Sequence, residues 1–478
     1  MARESDAAPP TTDAAPVGTD PPGAREAVGT AQRPLPPYPA HLGPSALHMF
    51  RQMRDSLAFG ERAHERHDVF RSRLLGQGDI FHLAHPEHVK RVLLTDRDSF
   101  RKSADFRIAF GEGLLTVEGE EWRAQRRALQ PLFTRESVMG YADGMVEQVE
   151  RRIDRWQHGD VLDLQAAFTR MTLDVLFATV LGRELELDGD ERLRAAAEDL
   201  HEWFVPTSYL LPPWVPTPAR RRFDTAQDTL RAEADRLLDE RLDESPSDPT
   251  EATDLLSLLV GLRELGGADA SMLTDERLRD QVVTIVFAGH DTTTTTLTFA
   301  FWALANHPHV RERFHEEVDA LDGPPTVDDV PDLEVTDRVV TETLRLYPPV
   351  YALPRKTAED VVFGGYRIPE NERVVLPIRQ IQRDGRFFAY PDEFRPERWT
   401  PDLRRHLHDF AYAPFGGGPR ICIGREFALL EAKLALATIG RAFRLDWLGE
   451  NRRGGEPPTA PEMTLRMERG QEFRVVER

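Results

Sequence analysis

The stretch LTDERLRDQVVTIVFAGHDTTTTTLTFAFWALANHP, residues 273–308, limits the fold more than any other part of the chain. Thr274 fits a helix N-cap, and Asp275 and Glu276 fall in the first turn, where they suit the helix dipole. Pro308 cannot continue the helix, so one helix is predicted over about 275–307. At 1.5 Å per residue it spans roughly 45–50 Å. Its middle third is apolar all round except for GHDTTTTT. A helix of that kind passes through the centre of a large domain. Gly, His, Asp and a run of Thr are poor helix formers. A local rule broken at the middle of a core helix points to function.

The rest of the chain reads as mainly α with a minor β-sheet region. RESVMGYADGMVEQVERRIDRWQ (135–157) and DTLRAEADRLLDERLDE (228–244) have helical spacing with charged outer faces. DVVFGGYRIPENERVVLPI (360–378) reads as a hairpin turning at Gly364-Gly365, and EMTLRMERGQEFRVV (462–476) as a second hairpin turning at Arg469-Gly470. Residues 1–37 are Ala, Pro, Asp, Thr and Gly with almost nothing to bury, which predicts a disordered tail. From residue 38 to 478 no comparable linker and no internal repeat interrupts the chain, so one domain is expected.

A formal net charge of -20 argues against a nucleic-acid partner, which needs a basic face. No apolar run is long enough for a transmembrane anchor, and the N-terminus has no apolar signal core, so the cytoplasm is the expected location. Cys422 is the only cysteine among 478 residues, which excludes an internal disulfide and any multi-cysteine metal site. A lone Cys is usually just a small hydrophobe, so its surroundings decide. It lies in FGGGPRICIG (415–424), ahead of the amphipathic run REFALLEAKLALATIGRAF (425–443). The loop lacks the Lys and Ser/Thr of a phosphate-binding loop. At a helix N-terminus, backbone amides and the dipole stabilise a thiolate, and Arg420 and Arg425 add positive charge. The glycines admit a large flat partner close to the backbone. These are the needs of a haem iron with a cysteine ligand.

Phe415, Gly418, Arg420, Cys422 and Gly424 match the signature of the haem-thiolate monooxygenases, the cytochromes P-450, at all five fixed positions. AGHDTT (288–293) resembles that family's oxygen-activation segment. ETLR (342–345) resembles its Glu-x-x-Arg pair, and FRPERW (394–399) the loop that supplies a further Arg. WRAQR (122–126) is similar to the Trp-x-x-x-Arg that meets the haem propionates. The resemblance covers the chain from about residue 38 onward. It implies the family's triangular-prism fold, a non-covalent haem b, and oxygen insertion into a hydrophobic substrate.

Residue by residue, the resemblance makes Cys422 the axial ligand and metal-binding residue, and Asp291 and Thr292 the managers of protons. Thr292 is expected to bond back to the Ala288 carbonyl and open a local bulge, and Gly289 to leave room beside the helix. Trp122, Arg126, Arg355 and Arg420 become partners of the propionates. Phe415 and Gly424 shape the cofactor loop. Glu342, Arg345 and Arg398 become a buried structural triad that steadies it. His290 reads as a helix neighbour of Asp291 and not as a ligand. Ala288 stands where the covalently haem-linked branch has Glu, so no covalent link is expected. The intact Asp291–Thr292 pair favours dioxygen and two electrons over peroxide.

No flavin or iron–sulfur segment is present, so electrons are expected from a separate ferredoxin or flavodoxin with its NAD(P)H reductase. Arg126, Arg127, Arg420, Arg425 and Lys433 are candidates for its docking patch. The chain is expected to be a monomer. Ala288, Val350 and Leu353, with residues 102–115, 203–218 and the turn near Arg469, fall where the family lines its pocket, which suits a fatty acid, terpenoid or steroid-like molecule. The competing readings are a haem-thiolate peroxygenase or isomerase and a non-enzymatic haem-binding sensor. A requirement for dioxygen and NAD(P)H separates the first from the monooxygenase, and failure to consume NAD(P)H with any substrate would favour the second.

Overall fold

The computed structural model describes residues 32–478 except 75–77, 103–104, 206–207, 209–210, 212–213, 244–251, 253, 267–272 and 452–454. The expected tail thus lies outside the described residues up to residue 31. Within its last six residues, the carbonyls of Pro34 and Pro37 accept backbone bonds from Arg367 and Arg71.

Seven helices organise the site: α1 (Gly119–Leu129), α2 (Ala142–Ile153), α3 (Leu164–Thr179), α4 (Pro218–Asp243), α5 (Asp275–Asn306), α6 (Glu334–Leu346) and α7 (Arg425–Ala442). The central helix α5 runs for 32 residues, with the Thr274 side chain capping the Arg277 amide. It packs along α3, where the Phe168 and Phe301 rings lie 5.5 Å apart and the Thr172 and Thr294 hydroxyls 2.7 Å apart. Gly289 makes this approach possible, since a Cβ there would sit 2.9 Å from Leu176 Cδ1. The threonine run is tolerated because three of its five hydroxyls bond back to helix carbonyls: Thr292 to Ala288, Thr293 to Gly289 and Thr296 to Thr292. α5 is regular α-helix throughout, so the bulge expected at Ala288 does not form.

The strands are β1 (Val69–Leu74), β2 (Gly78–Leu83), β3 (Phe100–Arg101), β4 (Val161–Asp163), β5 (Leu353–Thr357), β6 (Val361–Phe363), β7 (Tyr366–Ile368), β8 (Arg373–Leu376), β9 (Phe443–Trp447), β10 (Thr459–Pro461), β11 (Leu465–Met467) and β12 (Glu472–Glu477). β1-β2-β8-β5-β3 form the largest sheet, and β5 brings Leu353 against Gly416 of the cysteine loop and Arg355 within reach of Arg420. The hairpin at Gly364-Gly365 forms as expected between β6 and β7. The second one does not. β11 pairs back on β10, while β12 pairs with β4 and β9. Phe473 and Val475 of β12 are fully buried, and the sheet formed with β9 directly after α7 accepts them. Tertiary burial therefore overrides the local turn.

Candidate active site

The Cys422 loop is closed by its own backbone. The Cys422 amide donates to the Phe415 carbonyl at 3.1 Å, and residues 418–420 form one 3-10 turn. Gly418 has φ +67°, and a Cβ there would sit 2.2 Å from the Leu93 carbonyl oxygen. This glycine is thus required by packing of the loop on the protein, not only by the approach of a flat group. Gly424 caps α7, and its amide bonds the Cys422 sulfur. Cys422 is exposed, yet protein surrounds it. Burial pushes its thiol up, against the pull of the Gly424 amide and of Arg126 and Arg425. An exposed sulfur in a desolvated setting is one that lines an internal space.

Three cations converge beside this loop. Arg420 donates from Nη2 to the Val117 carbonyl at 2.6 Å and lies over the Trp122 ring at 4.8 Å, while its Nη1 has no partner. Arg355 donates only to the adjacent Pro354 carbonyl. Its pKa falls to about 10, first through burial and then through Arg420. Lys102, whose ammonium donates to the Leu115 carbonyl, is held well below the usual lysine range by burial, Arg420 and Arg355. Among the described residues none of the three closes an ion pair with a carboxylate. Mutually repelling, desolvated cations with an orphan donor fit a group carrying two carboxylates, as haem does. Arg126 joins the loop from α1 through its Nη1, 2.9 Å from the Ile421 carbonyl.

By sequence Lys102 falls in the pocket-lining stretch 102–115 and not among the propionate partners; the structure sets it with Arg355 and Arg420.

The opposite wall comes from α5. Ala288 is exposed and Ile285, Gly289 and Thr292 are partly so, although the helix around them is buried. The spacing i, i+3, i+4, i+7 is one helix face, and this face opens onto an internal space. Thr292 Oγ1 donates to the Ala288 carbonyl at 2.9 Å, as expected. Asp291, the next residue round the helix, points away from this face and is 1% exposed. Its carboxylate accepts from Arg466 and from Thr464 Oγ1, and His201 Nε2 lies 3.5 Å from Oδ1. His290 Nδ1 binds the Val286 carbonyl of its own helix at 2.6 Å. Phe106, Phe110, Phe204 and Phe287 form an aromatic cluster, with the closest ring centroids 4.6 Å apart. Val350 and Leu353 are partly buried, and Leu353 Cδ1 abuts Gly416. Part of 203–218 lies outside the described residues. The turn near Arg469 borders a polar cleft and not an apolar wall.

Glu342 is the fullest acceptor in the region. Arg345 binds both its oxygens at 2.8 and 2.9 Å, Arg398 Nε and the Arg395 amide bind Oε1 at 2.9 and 3.0 Å, and Trp399 Nε1 binds Oε2 at 2.9 Å. Gln382 connects this cluster to the cysteine loop: its amide donates to the Leu344 and Arg345 carbonyls, and its oxygen accepts from the Ala413 amide. Nothing in the local sequence singled out Gln382.

These features agree with the comparisons. The Cytochrome P-450 family profile matches residues 36–470, and the chain belongs to that family of haem-thiolate monooxygenases. It is 34% identical to pentalenene oxygenase of Streptomyces avermitilis over 83% of this chain and 88% of that protein. It is 34% identical to cyclooctat-9-en-7-ol 5-monooxygenase of Streptomyces melanosporofaciens over 78% of this chain and 81% of that protein. Retinoic-acid-bound cyanobacterial CYP120A1 superposes with a TM-score of 0.80 at 25% identity, over 93% of this chain and all of that one. The family binds haem through a cysteine thiolate. Among the described residues no helix is long and apolar enough to cross a membrane.

Proposed function

We propose that this chain is a monooxygenase of cyclic terpenoids, with Cys422 as the axial ligand of a non-covalent haem b. The observation that carries the haem reading is the chain's one cysteine, exposed yet surrounded by protein, beside three cations that form no ion pair among the described residues. The terpenoid reading rests on the two Streptomyces relatives.

The haem supplies reductive activation of dioxygen when bound. The protein residues do the rest. Lys102, Arg355 and Arg420 would hold the propionates, with Trp122 and Arg126 bracing the loop. The Gly424 amide, with Arg126 and Arg425, favours the thiolate. Ile285 and Ala288 on the open face of α5, with the partly exposed Phe106 and Phe204, offer apolar contact to a substrate and exclude water. The Thr292 hydroxyl holds a proton at the open face, and Asp291 replenishes it from the far side of the helix.

Electrons come from a separate ferredoxin or flavodoxin. Arg127 and Arg425 are exposed near the loop, whereas Arg126 and Arg420 turn inward and Lys433 faces Asp337 at 3.5 Å. Docking therefore falls to the first pair.

The test is a carbon monoxide difference spectrum of the reduced protein, followed by spin-state titration with cyclic sesquiterpenes and diterpenes. A strongly red-shifted Soret band that is lost in Cys422→Ala supports the ligand. Spin shifts with terpenes but not with linear fatty acids support the substrate class, and the reverse preference overturns it.

A further inference from the structure

Burial alone should neutralise Asp291, since a carboxyl taken out of water resists ionisation. Four neighbours oppose burial: His201, Arg466, His290 and Thr464. They are not equal. His201 is lowered to about 3, mainly by burial, and His290 is lowered by burial as well. Both rings are therefore uncharged near neutral pH. Arg466 Nη2 donates to His201 Nε2 at 2.7 Å, and a guanidinium can only donate, so that nitrogen accepts and carries no proton. Thr464 brings a hydrogen bond but no charge. The permanent charge in contact with the Asp291 carboxylate is that of Arg466. The other charged groups around His201 are more distant: Arg469 faces the ring, and Glu198 senses Arg466 and Arg469.

The setting gives this charge a use. Arg466 sits on β11, all three residues of which are buried. The strand is tied down by the Leu465 amide, 2.8 Å from the Pro349 carbonyl. His201, on the other side, lines a polar cleft of about 400 Å³ that also touches Glu198, Asp199, Glu462 and Arg469. Solvent protons thus come within one side chain of Asp291. A group that must take a proton from that side and pass it on has to be empty between deliveries.

We propose that Arg466 is the positioning residue that keeps Asp291 ionised, ready to accept a proton from the cleft. The C-terminal β10–β11 pair becomes part of the proton machinery. The inference rests on the proton-handling role of Asp291 proposed above. Removing the charge of Arg466 moves Asp291 into its neutral form, in which it cannot accept. Removing His201 does not, because that ring is already uncharged.

The experiment uses the ferric holoenzyme. Infrared difference spectra would be recorded for Arg466→Gln, Arg466→Lys, His201→Phe and Thr464→Val, each against the same background carrying Asp291→Asn. The expected result is a protonated-carboxyl C=O band near neutral pH in Arg466→Gln and in none of the others. Turnover of Arg466→Gln should fall about tenfold near neutral pH, with unchanged terpene affinity, and recover as pH rises. The lysine variant should restore the native profile. Should Arg466→Gln lose its haem, the Thr464→Val and His201→Phe spectra decide: a carboxyl band in either one shows that a neutral neighbour sets the charge, and overturns the proposal. Absence of the band and of the pH shift in a folded Arg466→Gln also overturns it. Asp291→Asn separates the two ideas. Wild-type turnover in that variant would defeat the role of Asp291 itself, whereas slow turnover with a native Arg466→Gln profile would defeat only the role of Arg466.

Discussion

Glu342 and Asp291 are both interior carboxylates gripped by an arginine, yet one is walled in and the other is left reactive. Five hydrogen bonds from α6 and the 395–399 loop fill both oxygens of Glu342. Arg345 is fully buried and spends its remaining donors on the Gln382, Pro391 and Glu393 carbonyls. No donor of Arg345 and neither oxygen of Glu342 is left without a partner. Around Asp291, by contrast, His290 Nε2, His201 Nδ1 and Arg466 Nε all lack partners, and a solvent cleft lies one side chain away. A satisfied cluster holds shape; a cluster with unpartnered nitrogens and a polar cleft beside it can handle protons.

The largest effect that would sharpen this contrast is at Arg345. Arg345→Ala leaves Glu342 buried with Arg398 as its only charged partner and takes donors from three carbonyls. A loss of about 3–5 kcal/mol is expected, as for one partner of a buried pair. Because Gln382 ties this cluster to Ala413, the cysteine loop should loosen with it. Denaturant titration and haem content are the measurements, and a variant with native stability and full haem would break the comparison.

Asp291→Asn comes next. Turnover should fall about 100-fold, the scale of a lost proton-transfer group. Its stability cost should be smaller than that of Arg345→Ala, because the substituted amide oxygen can still accept from Arg466 or Thr464. Thermal unfolding beside product formation checks both halves. A stability loss matching that of Arg345→Ala, with turnover intact, would make Asp291 a second structural cluster.

The two regions also differ in how far they could be read from sequence. The Glu342–Arg345 pair, the cysteine loop and α5 are written in local spacing: three residues on a helix, five fixed positions in a loop, caps and a stop. The partners of Asp291 are not. Arg466 and His201 lie 175 and 90 residues away in the chain, and nothing in LRM or LHEW hints at a shared carboxylate. The same strand was also given the wrong neighbour, because β11 and β12 carry a turn glycine between them that suits a hairpin. Only the burial of Phe473 and Val475 beside β9 explains why the pairing goes elsewhere. Lys102 was hidden for a related reason: a lysine reads as surface until two arginines are seen beside it.

The last expected effect concerns a third acid, and it tests whether a charged neighbour is the deciding variable. Glu431, on α7, is 2% exposed, and neither of its oxygens has a hydrogen-bond partner. The nearby Thr293 hydroxyl is directed to the Gly289 carbonyl. With no cation facing it, burial raises Glu431 from 4.5 to about 8. The pH dependence follows from the sign of each shift. A raised carboxyl favours the folded state while it stays protonated; stability is full below its ordinary value and drains away as pH climbs towards 8. Asp291, lowered by its neighbours, contributes in the opposite sense: its share is present above the ordinary carboxylate range and is lost on acidification. Glu431→Gln should therefore match the wild type in Tm near pH 5 and exceed it progressively towards pH 8, values bracketing the shift. Arg466→Gln should turn Asp291 into a second Glu431, adding a loss on the alkaline side that the wild type lacks. Were Glu431→Gln to show no gain at the upper end, burial without a counter-charge would not be enough to keep an acid neutral in this core, and the contrast between the acids would have to rest on hydrogen bonding alone.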